Sequence, residues 1–89
     1  MKVSYIAHVS GNVQGVYFRV SSQQKAIEYG LSGYAKNLAD GDVELMLCGE
    51  EQNVEKMLIW LESGPEQADV SHLLKKKVDW QDHSFFAIC

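Results

Sequence analysis

A single arginine, Arg19, closes the run Gly11-Asn12-Val13-Gln14-Gly15-Val16-Tyr17-Phe18-Arg19, and every other basic side chain is a lysine. A guanidinium stays charged at any working pH and presents a planar fork of donors that fits phosphate bidentately. The glycines of the run let main-chain N–H groups turn toward a ligand. A helix predicted to begin at Phe18 adds positive partial charge at its N-terminus. Loop, helix end and arginine together describe an anion cradle. Asn37 is the second candidate. Its carboxamide accepts and donates, so it can hold a water and fix its direction without being a strong base. Taken alone, each has a plainer reading, Arg19 as a solvated charge and Asn37 as a turn residue near a hairpin. The three histidines, His8, His72 and His83, lie far apart with no ligand spacing, so no metal centre is expected.

The elements that would position these residues are cut out by turn signals. Val3 to Ser10 is rich in β-branched and aromatic residues and reads as a strand, with Gly11 to Gly15 as the loop after it. Phe18 to Tyr29 reads as a helix with Phe18, Ser22, Ala26 and Tyr29 on one face and Gly30 as its stop. Leu31 to Leu38 and Asp42 to Cys48 read as strands joined by Ala39-Asp40-Gly41, because Asp-Gly tolerates positive φ. Glu50 to Ser63 is the clearest helix: Val54, Met57, Leu58 and Leu61 form an apolar stripe, and Gly64-Pro65 ends it. Val70 to Trp80 alternates through Val70, His72, Leu74, Lys76, Val78 and Trp80 and predicts a partly exposed strand. Ser84 to Cys89 is a short last strand. The order βαββαβ plus a terminal strand predicts a ferredoxin-like α+β domain over residues 1–89. Its sheet is mainly antiparallel, with both helices on one face.

Bulk properties narrow the class. An apolar fraction of 46% is ordinary for a globular chain and argues against disorder. A net charge of −4 disfavours nucleic acid or an anionic membrane as partner, and Lys75-Lys76-Lys77 reads as a guard on an exposed strand edge. The first residues lack a signal-peptide layout, and no apolar run is long enough to span a bilayer, so a cytoplasmic location is expected. The chain is expected to be a monomer. Cys48 and Cys89 read as free thiols rather than a disulfide framework, with Cys48 half-buried. Trp60 and Trp80 read as packing residues, His8 as structural, and Lys36 as a solvated or site-flanking charge. Phe18 reads as core, Gln14 as a loop-stabilising hydrogen bonder, and Tyr17 as either a lining of the site mouth or a surface cover.

Two segments resemble one family. Gly11 to Arg19 resembles the first acylphosphatase signature, Gly-x-Val-Gln-Gly-Val-x-[Phe/Tyr]-Arg. The segment from Gly33 through Tyr34, Ala35, Lys36 and Asn37 to Gly41 and Val43 resembles the second, with Gly49 as its downstream glycine. The resemblance covers essentially the whole chain. It implies hydrolysis of acyl phosphates, with small-molecule substrate and no metal or organic cofactor. It implies that Arg19 binds phosphate and Asn37 orients the water. The main-chain amides of Asn12, Val13, Gln14, Gly15, Val16, Tyr17 and Phe18 would cradle the anion beside Arg19. Many family members end in Phe-x-Ile-Arg near the phosphate site, whereas this chain ends Phe86-Ala87-Ile88-Cys89. A non-catalytic phosphate-binding regulatory domain on the same fold is the alternative. Similarity extends also to a domain within larger carbamoyl-transfer maturation proteins, although a chain of 89 residues favours an independent enzyme.

Overall fold

The computed structural model describes residues 1–89. Strand β1 (Lys2–Asn12) leads to helix α1 (Phe18–Glu28), β2 (Ser32–Asn37), β3 (Val43–Glu50), α2 (Glu51–Ser63), β4 (Asp69–Val78) and β5 (Phe86–Ile88). One sheet holds all strands in the order β4-β1-β3-β2-β5. The β1–β3, β1–β4 and β2–β3 pairs are antiparallel and β2–β5 is parallel. This is the ferredoxin-like α+β arrangement expected above.

Helix α1 packs on the β2–β5 side and α2 on the β1, β3 and β4 side. Phe18, Ser22 and Ala26 form the buried face of α1, and the two small residues let the helix lie close to the sheet. Gly30, at φ 69°, ends the helix, where Leu31 N–H reaches back to Ala26 O at 2.8 Å. Val54, Met57, Leu58 and Leu61 are the buried stripe of α2. They meet Val3, Ala7 and Val9 of β1 and Val43, Leu45 and Leu47 of β3, which alternate onto the helix-covered face. Each such side chain contributes roughly 1.5–3 kcal/mol by leaving water.

Three details differ from the sequence reading. Val70 to Val78 is not a single alternating file. The β1–β4 register jumps so that Ser10 faces His72 while Gly11 faces Val70, leaving Ser71 as an extra residue. The bulge resets the phase, so Val70 and Leu73 both pack on the core while His72 and Leu74 are exposed. Gly11, at φ 122°, makes room for it, since a Cβ there would run into the Asp69 carbonyl. Second, Trp80 lies beyond β4 and is 45% exposed, rather than packed in the strand. After Val78 the chain leaves the β4 edge and crosses the face opposite the helices to reach β5 at the other edge. Gln81 N–H donates to Ser4 Oγ at 2.9 Å, and His83 meets the Tyr34 ring edge-on at 6.2 Å. Third, this crossing buries Cys48 almost completely, and the Ser4 hydroxyl donates to its sulfur at 3.1 Å.

Candidate active site

Topology brings the two signatures together. Strands β1 and β2 both run antiparallel to β3, so they point the same way, and β5 runs parallel to β2. The C-terminal ends of β1, β2 and β5 therefore share one end of the sheet. The loop after β1, Asn37 at the end of β2 and Ile88 at the end of β5 converge there. They line a cleft of about 430 Å³ together with Val13, Gly15, Tyr17, Phe18, Arg19 and Val20.

The loop from Val13 to Tyr17 is held at both ends by apolar side chains driven into the core. Val13 is 1% exposed and Phe18 2%. Phe18 also packs against Trp60, with ring centroids 6.3 Å apart. Between these anchors, Gly15 turns at φ 76° and Tyr17 at φ 59°, the only non-glycine residue at positive φ. Such a conformation costs on the order of 1–3 kcal/mol for a residue with a Cβ. None of the N–H groups from Gln14 to Tyr17 donates to another main-chain group. Those of Phe18, Arg19 and Val20 are the first-turn donors that an α-helix leaves unpaired. No acidic residue sits in that first turn to neutralise it. The result is a run of N–H groups at the positive end of a helix, the arrangement that receives anions.

Gln14 fixes this loop to the β2–β3 hairpin. Its Nε2 donates to Leu38 O at 2.8 Å and Asp42 O at 2.9 Å, which flank the turn next to Asn37. Within the turn, Asp42 N–H donates to Asp40 Oδ1 at 2.9 Å. Arg19 is held from the other side: Nη1 donates to the main-chain oxygen of Cys89 at 2.6 Å. The brace is a main-chain atom, so it does not depend on a basic terminal side chain. Cys89 N–H in turn donates to Ala35 O at 2.9 Å, and Gln23 Nε2 to Phe86 O at 2.8 Å, so β5 is tied to both β2 and α1. With one nitrogen committed, the guanidinium keeps further donors for a ligand. Asn37 lies on the helix-covered side of β2 and lines the cleft. Its Oδ1 is buried and accepts no hydrogen bond from the chain.

The sequence-derived set therefore divides. Arg19, Asn37, Val13, Gly15, Tyr17 and Phe18 line one cleft. Asn12 belongs to β1, where it pairs with Asp69, and Gln14 acts as the clamp. Val20 and Ile88 also line the cleft and were not singled out from the sequence. Val20 lies in the first turn of α1, directly after the loop. No group of three or more His, Cys, Asp or Glu side chains is arranged to hold a metal ion.

The acylphosphatase family model matches residues 5–88. The chain belongs to the acylphosphatase family. It is 70% identical over 88 residues to an acylphosphatase of Colwellia psychrerythraea, with 99% of each chain covered. The structure of an acylphosphatase from Coxiella burnetii superposes with a TM-score of 0.95 at 42% identity, covering 99% of this chain and 93% of that one. The acylphosphatase from Bacillus subtilis superposes at 0.94 with 30% identity, covering 100% and 99%. Acylphosphatase activity, the hydrolysis of acyl phosphates, follows from that membership. No helix is long and apolar enough to cross a membrane.

Proposed function

We propose that the Gln14–Arg19 main chain and the Arg19 guanidinium bind the phosphoryl group of an acyl phosphate, and that Asn37 directs the attacking water. The observation that carries this reading is the uncommitted Asn37 carboxamide in the same cleft as Arg19 and the free N–H run. Phosphoryl transfer asks a protein for positioning and charge stabilisation more than for covalent help. Arg19, braced by Cys89, and the loop N–H groups spread over the non-bridging oxygens and stabilise their charge. The water oxygen forms a bond to phosphorus while the bond from phosphorus to the bridging oxygen breaks. The electron pair leaves with the carboxylate. The proton lost by the water ends on a phosphate oxygen, since the cleft lining supplies no carboxylate or histidine base. A carboxylate is a good leaving group, so this modest machinery suffices.

Asn37→Ala tests the assignment. Loss of one oriented transition-state partner should lower turnover by roughly 10²–10³. Competitive inhibition by inorganic phosphate should persist, because the cradle is untouched. Near-normal steady-state turnover in a folded Asn37→Ala protein would place water orientation elsewhere.

A further inference from the structure

We propose that Gln23 is a positioning residue for the reaction: it fixes the last strand so that Cys89 O can hold the Arg19 guanidinium in its phosphate-binding orientation. The proposal rests on the reading that Arg19 binds the phosphoryl group.

The hydrogen bond from Arg19 to Cys89 O is exposed to solvent. A long side chain carries much rotamer freedom, and one exposed hydrogen bond orients it only when the acceptor is itself fixed. The acceptor here directly follows β5, a strand of three residues at the edge of the sheet. So short an edge strand needs tying down to stay ordered. On one side β2 does this: Gly33 N–H donates to Phe85 O at 3.1 Å and Cys89 N–H to Ala35 O at 2.9 Å. Phe86 is out of phase with both, so its carbonyl faces away from β2. Gln23 Nε2 meets that carbonyl at 2.8 Å. The strand is therefore gripped from both sides.

Arg19 and Gln23 stand four residues apart on α1 and share one face of it. Each sends one N–H to the same short segment, Arg19 to Cys89 O and Gln23 to Phe86 O. The helix that carries the guanidinium thus also sets the place of the acceptor that orients it. Gln23 does not line the cleft, so it acts through Arg19 and not on substrate. Gln24 has the same chemistry one position on and is exposed, so it serves as an internal control.

The test compares wild type with Gln23→Met, Gln23→Glu and Gln24→Met. Methionine keeps the length and helix preference of glutamine without the donor, and a glutamate carboxylate cannot donate to Phe86 O. Arg19 is the only arginine, so arginine-selective isotopic labelling gives one side-chain Nε–H signal. In Gln23→Met that signal should shift, and its heteronuclear NOE should fall toward that of a freely rotating side chain. The inhibition constant for inorganic phosphate should rise about fivefold. The kcat/KM for acetyl phosphate should fall about tenfold, with part of the loss in kcat, short of the roughly 10²-fold that a displacement of about 1 Å can cost. Gln23→Glu should behave alike and gives the same readout should Gln23→Met fail to fold. Gln24→Met should match wild type. An unmoved Arg19 signal in a folded Gln23 variant overturns the proposal. So do kcat/KM and phosphate inhibition within twofold of wild type, whatever happens to the melting temperature, or an equal loss in Gln24→Met. Failure of the underlying reading shows separately: wild-type affinity for inorganic phosphate in a folded Arg19→Gln protein overturns the role of Arg19 and this proposal together.

Discussion

Two sets of polar side chains differ in what they leave unspent. Arg19 and Asn37 keep capacity facing a cleft. Glu44 has both oxygens committed on the opposite face of the sheet, accepting from the Tyr34 hydroxyl at 2.6 Å and meeting His8 Nε2 at 2.8 Å. The hydrogen bond from Tyr34, followed by that with His8, holds the Glu44 carboxyl below the ordinary carboxylate range. Burial first, and then the Glu44 contact, pushes the Tyr34 hydroxyl up to about 12. Because its folded pKa is depressed, Glu44 contributes stability that is present above the unfolded carboxylate pKa and lost as pH falls through the folded one. Tyr34 works in the other window: the folded chain keeps a proton that the unfolded chain releases, so stability declines as pH rises from roughly 10 toward the folded value. Urea unfolding between pH 7 and 3 should show wild type losing more stability than Glu44→Gln. Equal losses in the two proteins would remove Glu44 from the acid response.

At the level of elements, the loop and the β2–β3 hairpin behave as one unit because Gln14 bridges them. Gln14→Ala removes one of the two donors that Leu38 O and Asp42 O each receive, the other being the main-chain N–H of Gly41 and of Leu38 respectively, and each lost hydrogen bond typically costs about 0.5–1.5 kcal/mol. The urea midpoint should fall accordingly. Turnover should fall as well, since Asn37 is no longer held in register with the cradle. A variant with lowered stability but unchanged kcat/KM would reduce Gln14 to a purely structural role. The helices, β2 and β3 were legible in the sequence, since apolar spacing, Gly30 and Asp40-Gly41 are local signals, whereas Gln14 was legible as a hydrogen bonder of the loop and not as its tie to the hairpin, whose partners lie 24 and 28 residues away. The bulge in β4 was not legible. It arises from Gly11 on a different strand, and no local pattern around Ser71 encodes that pairing. The burial of Cys48 was likewise hidden, because it comes from the remote segment around Gln81 crossing the sheet. Ile88 reaches the cleft only through its parallel pairing with β2, which periodicity cannot reveal.

Across the whole molecule, the strand order decides both where the site is and how the thiols behave. Cys89 is exposed at the end of the edge strand, whereas Cys48 is buried on β3, the central strand of the sheet, where desolvation raises its pKa. A thiol-specific chromogenic reagent on the native, reduced protein should therefore label Cys89 quickly and Cys48 only after unfolding. Equal rapid labelling of both would mean that the crossing segment does not shield the sheet. The same strand order sets β1, β2 and β5 to end together, and the proposed chemistry depends on this end of the sheet being an anion site made of main-chain amides and Arg19. Titration of the isotopically labelled protein with inorganic phosphate, followed by amide chemical shifts, measures it directly. An anion site there gives saturable shifts centred on Gln14 to Arg19, abolished in a folded Arg19→Gln protein. Saturable binding that leaves those amides unmoved, or that survives loss of Arg19 unchanged, would contradict it.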